Sequence, residues 1–266
     1  MSTDAGKSGD PPADPDGHVV VPVSLTILGA KVKGAARVPG GPTTAKEMLP
    51  AFRVVADAVV KLTERSIAQH GGKLSCTKGC GACCRQLVPV AYSEAERLRE
   101  VVESLPEPRR GEVRRRFAEA ERRAREAGLY ERLADPERFE SGELKDVPLA
   151  YFRLGIACPF LEQESCTIYE ERPLACREYL VTSPAAYCAS PDERVAAVRM
   201  ALKSSEALAR LDGTEGARFV KRVPLTLALR FAETHPAAAD RRAGPEILGE
   251  FLEHLERTRA DEGSAG

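Results

Sequence analysis

The chain has no tryptophan, and Phe, Tyr and Trp together make up only 5% of it. A surface that stacks bases draws on aromatic side chains, so single-stranded nucleic-acid binding is disfavoured. An excess of one charge is also lacking. Lys and Arg total 39 against 40 Asp and Glu, a formal charge of -1, so no overall field draws the protein to nucleic acid or anionic lipid. Long apolar runs are missing as well: residues 19–23 are far too short to cross a bilayer, and they contain Pro22. Residues 1–17 are mostly Asp, Gly, Pro and Ser with neither a basic nor an apolar stretch, so they do not read as a secretory signal. The expectation is a cytoplasmic protein with no membrane and no nucleic-acid partner. Thiols stay reduced in that compartment, so the eight cysteines read as ligands or redox groups rather than disulfide staples.

Residues 1–17 offer too little apolar surface to offset the entropy of ordering them and read as a disordered tail. Residues 18–43 are expected to hold a small β-hairpin, 19–28 pairing with 31–38 about Gly29-Ala30, because the run is β-branched and stops at Gly40-Gly41-Pro42. The remainder, residues 44–260, reads as one helical domain, so the fold class is mainly α with an N-terminal hairpin. Thr44 and Glu47 form a capping box ahead of Phe52, Val55, Val59 and Leu62 at helical spacing, and Gly71-Gly72 stops that helix. Ser93 and Glu96 form a second box before Leu98, Val101, Val102 and Leu105. Residues 112–133 read as one long charged helix with a narrow stripe of Val113, Phe117, Ala120 and Ala124. Its arginines alternate with Glu112, Glu119, Glu121 and Glu126, which predicts a solvated, salt-bridged face rather than a phosphate-binding one. Residues 151–188 read as loop with short helical turns. Three helices are expected over 191–211, 224–234 and 245–259, each opening on a proline.

What the sequence has in quantity is clustered cysteine. Cys76, Cys80, Cys83 and Cys84 lie on one short stretch with Gly79 and Gly81, which are expected to adopt positive φ and curl the backbone around an ion. Lys78 and Arg85 are expected to favour thiolate over thiol. Cys158, Cys166, Cys176 and Cys188 follow at spacings too wide for one loop, which makes sense if their segment folds over the first and donates one sulfur at a time. The competing reading of these four is that they are small buried hydrophobes. Adjacent side chains diverge and rarely both bind one tetrahedral ion, so at least one of Cys83 and Cys84 is open to a second metal or to redox chemistry. Four thiolates satisfy a zinc ion or a 4Fe-4S cluster, so two metal sites, or one with spare thiols, both fit.

Cys76 to Cys84, Cys158-Pro-Phe-Leu, Cys166-Thr-Ile-Tyr and Arg172-Pro-Leu-Ala-Cys176-Arg-Glu-Tyr179 together resemble the bacterial YkgJ-type cysteine-cluster family. That family is described as zinc- or iron-chelating and also includes flagellin lysine N-methylases. The resemblance spans about residues 74–188 and implies that Cys76, Cys80, Cys83, Cys84, Cys158, Cys166 and Cys176 are cluster residues, with Cys188 outside its firmest part. The metal ion, zinc or iron and in one form a 4Fe-4S cluster, is the implied partner, and no protein partner or substrate can be named.

Arg172 and Arg177 flank Cys176 and read either as structural ion pairs or as donors to a thiolate. Tyr169 and Tyr179 read as packing residues. The C-x3-C-x2-C spacing of Cys76, Cys80 and Cys83 also occurs in radical S-adenosylmethionine enzymes, but Ala82 replaces their usual aromatic and the following segments are helical rather than βα repeats. A lysine N-methylase-like or redox enzyme is the alternative class. No Gly-rich strand-turn-helix motif for S-adenosylmethionine is present, and no thioredoxin-like C-x-x-C unit. Among the histidines, His70 alone leads into the cysteine loop and is the one placed to reach an ion.

Overall fold

The computed structural model describes residues 14, 16–213, 222–235 and 241–259. The tail expected over residues 1–17 therefore falls outside the described residues, apart from Asp14, Asp16 and Gly17. The chain runs β1 (His18–Ile27), β2 (Ala30–Pro39), β3 (Pro42–Thr43), α1 (Leu49–Gln69), β4 (Pro89–Val90), α2 (Tyr92–Glu103), α3 (Arg109–Glu126), α4 (Tyr130–Ala134), α5 (Ser141–Leu144) and α6 (Val147–Arg153). It continues with β5 (Leu161–Glu162), β6 (Ser165–Cys166), α7 (Leu174–Glu178), α8 (Ser204–Leu211), β7 (Val223–Pro224), α9 (Ala228–Thr234), β8 (Arg242–Ala243) and α10 (Gly244–Arg257). The architecture is mainly helical with a small N-terminal hairpin.

β1 and β2 pair antiparallel from His18↔Pro39 to Ile27↔Ala30 around a two-residue turn, Leu28-Gly29, in which both φ angles are positive. That turn matches the right-handed twist of paired strands. The hairpin buries Val19, Leu25, Ile27, Ala36 and Val38 against α1 and α10, where Phe52 and Phe251 stack with ring centroids 4.1 Å apart. Each fully buried Phe contributes on the order of 1.5–3 kcal/mol.

The expected capping box forms, with Thr44 N–H donating to Glu47 Oε2 at 2.9 Å, but it closes the turn ahead of α1, which starts at Leu49 with Pro50 in its first turn. At α2 the box belongs to Glu94, whose carboxylate accepts the Ala91 N–H at 3.0 Å; Ser93 and Glu96 do not form it. The long helix expected over 112–133 is two helices, because Gly128 takes φ +68° and breaks the chain between α3 and α4. Along α3, Arg122 pairs with Glu119 and Glu126 and Arg125 with Glu121, the solvated face anticipated from the charge pattern. The helix expected over 191–211 is confined to α8. Residues 196–198 instead run beside 180–182, with Val198 N–H on the Leu180 carbonyl at 2.8 Å and Thr182 N–H on the Ala196 carbonyl at 3.0 Å. Those long-range bonds take the backbone groups a helix would have used. In the same way the helix expected from Pro224 begins only at α9, because Val223 and Pro224 pair with β4. Among the described residues, no helix is long and apolar enough to cross a membrane.

Two apolar cores result. One joins the hairpin, α1, α8 and α10, with Leu174 and Leu180; the other joins α2, α3, α4, α6 and the segment carrying Leu225 and Leu227. Three carboxylates tie α2, α7 and α8 into a ring. Glu94 of α2 accepts the Leu174 N–H at the start of α7 (2.7 Å). Glu178 at the end of α7 accepts the Ser204 N–H, the Ser205 N–H (3.2 Å) and the Ser205 hydroxyl (2.6 Å) at the start of α8. Asp212, just past α8, accepts the Ser93 N–H (2.7 Å) and hydroxyl (3.0 Å) at the start of α2. Each carboxylate thus fills N–H groups that a helix start leaves without intrahelical partners.

Candidate metal centre

The loop 76–84 is folded by its own backbone: Cys80 N–H donates to the Thr77 carbonyl at 3.1 Å and Cys84 N–H to the Gly81 carbonyl at 3.0 Å. Gly79 has φ +90°, the left-handed conformation expected of it. Gly81 is required for a different reason than positive φ. A Cβ there would lie 2.5 Å from the Glu164 carbonyl oxygen and 2.4 Å from a Leu161 methyl, so the absent side chain lets the loop press onto the β5–β6 turn. Arg85 fixes the same contact from outside with a bidentate pair to the Glu164 carboxylate at 2.9 and 2.5 Å.

The second half of the cysteines folds over this loop. Cys158 N–H donates to the Cys84 carbonyl at 2.6 Å, and Cys166, in β6, lies opposite Leu161 of β5. Cys176 sits in the middle of α7, and Cys188 is buried in the short 3-10 turn Ala185–Ala189. Cys76 Sγ accepts the Val181 N–H at 3.4 Å, and the Gln86 side chain reaches the Cys188 carbonyl at 3.0 Å. All eight thiols are free. Cys76 packs against the first core while Cys158 and Cys166 pack against the second, so the cysteines occupy the seam between them. A cavity of about 200 Å³ opens on this seam, lined by Cys76, Cys80, Cys83, Cys176 and Cys188 with Tyr169, Arg172 and Tyr179.

The thiols sense one another. Burial first, then the neighbouring sulfurs, pushes the Cys158 thiol up to about 12 and Cys188 to about 11, and raises Cys76 and Cys176. Cys166 is raised mainly by burial. Cys83 goes the other way: a hydrogen bond from the Cys84 side chain, with help from the Arg172 charge, holds it at about 7, and the same bond keeps Cys84 protonated. The cations expected to favour thiolate are engaged elsewhere, Lys78 with Glu170 at 2.8 Å and Arg85 with Glu164. His70 ends α1 with its ring Nδ1 2.8 Å from the Ser66 carbonyl, and it does not line the cavity.

The donor chemistry fits a thiophilic ion: reduced sulfurs that repel one another as they ionise, five of them lining one cavity, with Cys84, Cys158 and Cys166 outside its lining. Their present rotamers do not form a finished site, since among the described residues no group of three or more His, Cys, Asp or Glu is arranged to hold an ion. Bringing sulfurs onto one ion requires side-chain rotation, which for cysteine is a single staggered torsion. Sequence reasoning missed Glu94, which holds the start of the Cys176 helix, and Gln86, which holds the Cys188 turn. Glu94 carried a readable signal, lying three residues after Ala91 at a helix start, but its contact with Leu174 is long-range and had none.

No curated protein and no solved structure matches the chain. The model of the CxxCxxCC family, described as "Putative zinc- or iron-chelating domain", matches residues 75–197. All eight cysteines lie inside that stretch, with a first spacer one residue longer than in the pattern that names the family. The seam of the fold, from the loop at Cys76 to the strand-like segment that runs beside Leu180, is thus the part of the chain that is similar to a CxxCxxCC domain.

Proposed function

We propose that the protein chelates a metal ion, zinc or iron, with iron held either alone or as an iron-sulfur cluster, through thiolates drawn from both cysteine stretches. The observation that carries this reading is the Cys158 N–H to Cys84 carbonyl bond at 2.6 Å, which holds the two stretches against each other with free thiols on both sides. Cys76, Cys80, Cys83 and Cys84 supply donors from the loop; Cys158, Cys166 and Cys176 supply them from the covering segment, and Cys188 closes the cavity from its turn. A bound cation contributes the positive centre that lets sulfurs raised by burial and mutual repulsion ionise together. The chain's own part is to exclude water by packing on both cores and to hold the loop through Gly81 and Arg85. A reducing cytoplasm is where this set of thiols stays available.

The test is anaerobic purification of the full chain, metal analysis and an absorbance spectrum, because iron-sulfur clusters absorb at about 400 nm and zinc does not. Stoichiometric zinc or iron is expected, with metal content and melting temperature falling together in Cys80→Ser. Full metal content in that variant would remove the loop from the ligand set.

A further inference from the structure

The two arginines beside Cys176 have different fates. Arg177 is buried and fully engaged: it donates to Asp57 at 2.8 Å, to the Arg172 carbonyl at 3.2 Å and to the Glu170 carbonyl at 2.5 Å. Arg172 has no such set. Its guanidinium lies over the Tyr169 ring at 4.1 Å, lines the cysteine cavity, and its Nε is shut off from solvent with no hydrogen-bond acceptor. The neighbouring carboxylates are already taken, Glu170 by Lys78 at 2.8 Å and Glu171 by Arg53 at 2.8 Å and Arg97 at 3.0 Å.

A cation with a shielded, unpaired N–H costs free energy unless an anion comes to it. Thiolates gathered on a divalent ion are such an anion, since four of them leave negative charge in excess of the ion's own. Planar N–H groups fixed on an aromatic face are pre-organised to donate toward sulfur, as the outer partners of a metal site do. Resting on the reading that the cysteines chelate a metal, we propose that Arg172 is the positioning residue of that site, balancing its charge and donating a hydrogen bond to a ligand thiolate. Arg177 is the structural partner that fixes the Arg172 backbone through its carbonyl. Cys76, Cys80 and Cys83 of the loop and Cys176 and Cys188 of the covering segment line the same cavity as this guanidinium.

The experiment uses the full chain with zinc as the probe, titrated anaerobically against a chromophoric chelator in wild type, Arg172→Gln and Arg172→Lys. Arg172→Gln is expected to weaken zinc binding by about 10- to 100-fold and Arg172→Lys by less, while the melting temperature in excess chelator stays that of wild type. Wild-type zinc affinity in Arg172→Gln would overturn the proposal. So would an equal loss of melting temperature with and without zinc, the signature of a packing residue on Tyr169. The two failures are distinguishable: wild type that binds neither zinc nor iron removes chelation and this proposal with it, whereas wild type that binds zinc with an affinity unchanged in Arg172→Gln overturns this proposal alone.

Discussion

The backbone N–H of Cys158 and the carbonyl of Cys84 meet at 2.6 Å, joining residues from the two separated cysteine stretches. Because this bond runs between main-chain groups, it fixes the approach of the loop and its cover whatever the sulfurs do, and the thiols rotate within that frame.

Gly81→Ala tests the frame. The added Cβ would fall 2.5 Å from the Glu164 carbonyl oxygen, a backbone atom that cannot swing aside. The loop must lift off the β5–β6 turn, at a cost of about 1–3 kcal/mol. Thermal unfolding is expected to show a lower melting temperature, and metal content is expected to fall with it.

Cys83 is expected to be the fastest thiol to react with iodoacetamide near neutral pH, since its thiol is held at about 7 while Cys158 and Cys188 sit near 12 and 11. Removing the hydrogen bond in Cys84→Ala raises Cys83 and slows it. Peptide mapping by mass spectrometry after brief alkylation reads the order directly, and added zinc is expected to protect Cys83.

Stability is expected to fall as pH rises from about 4 to 7. Burial pushes Glu94 up to about 7 and Asp212 to about 6, and raises Glu178. A carboxyl raised on folding holds its proton better in the folded chain, so its stabilising contribution is complete below the unfolded pKa and is lost as pH climbs through the folded one. One pKa unit corresponds to about 1.4 kcal/mol, so Glu94 outweighs an exposed ion pair. Urea midpoints at several pH values should show the slope. Glu94→Gln, which keeps an acceptor for Leu174 and carries no charge, should flatten it.

Arg177→Leu is expected to cost stability with or without metal, by about 2–4 kcal/mol, because it strips the Asp57 and Glu170 contacts from a buried position. Chemical denaturation in excess chelator measures it. The contrast with Arg172→Gln separates the arginine that holds the fold from the one that serves the site.

Local pattern carried the sequence reading where structure is local. The β-branched hairpin, the helix through Phe52 and Val59, and the salt-bridged face of α3 depend on neighbours within a few residues, and each was legible. Gly128 was not, because a glycine inside a helical pattern is tolerated at a cost of about 1 kcal/mol and does not by itself mark a break. Residues 191–203 read as helix because their partner, the strand-like run at 180–182, is reached only through tertiary pairing. At the site, the thiols were legible from their spacing, but the difference between Arg172 and Arg177 was not. It depends on which way each leaves the short helix α7 and its approach, and on Asp57 lying within reach of one and not the other.

α7, five residues long, is below the length at which a helix persists on its own in water. It borrows its shape from the two longer helices that share the carboxylate ring, Glu94 holding its first turn and its own Glu178 anchoring its last to α8. Cys176 therefore takes its coordinates from distant parts of the chain, and a substitution at Asp212, which touches no cysteine, reaches the sulfur site by loosening the lender.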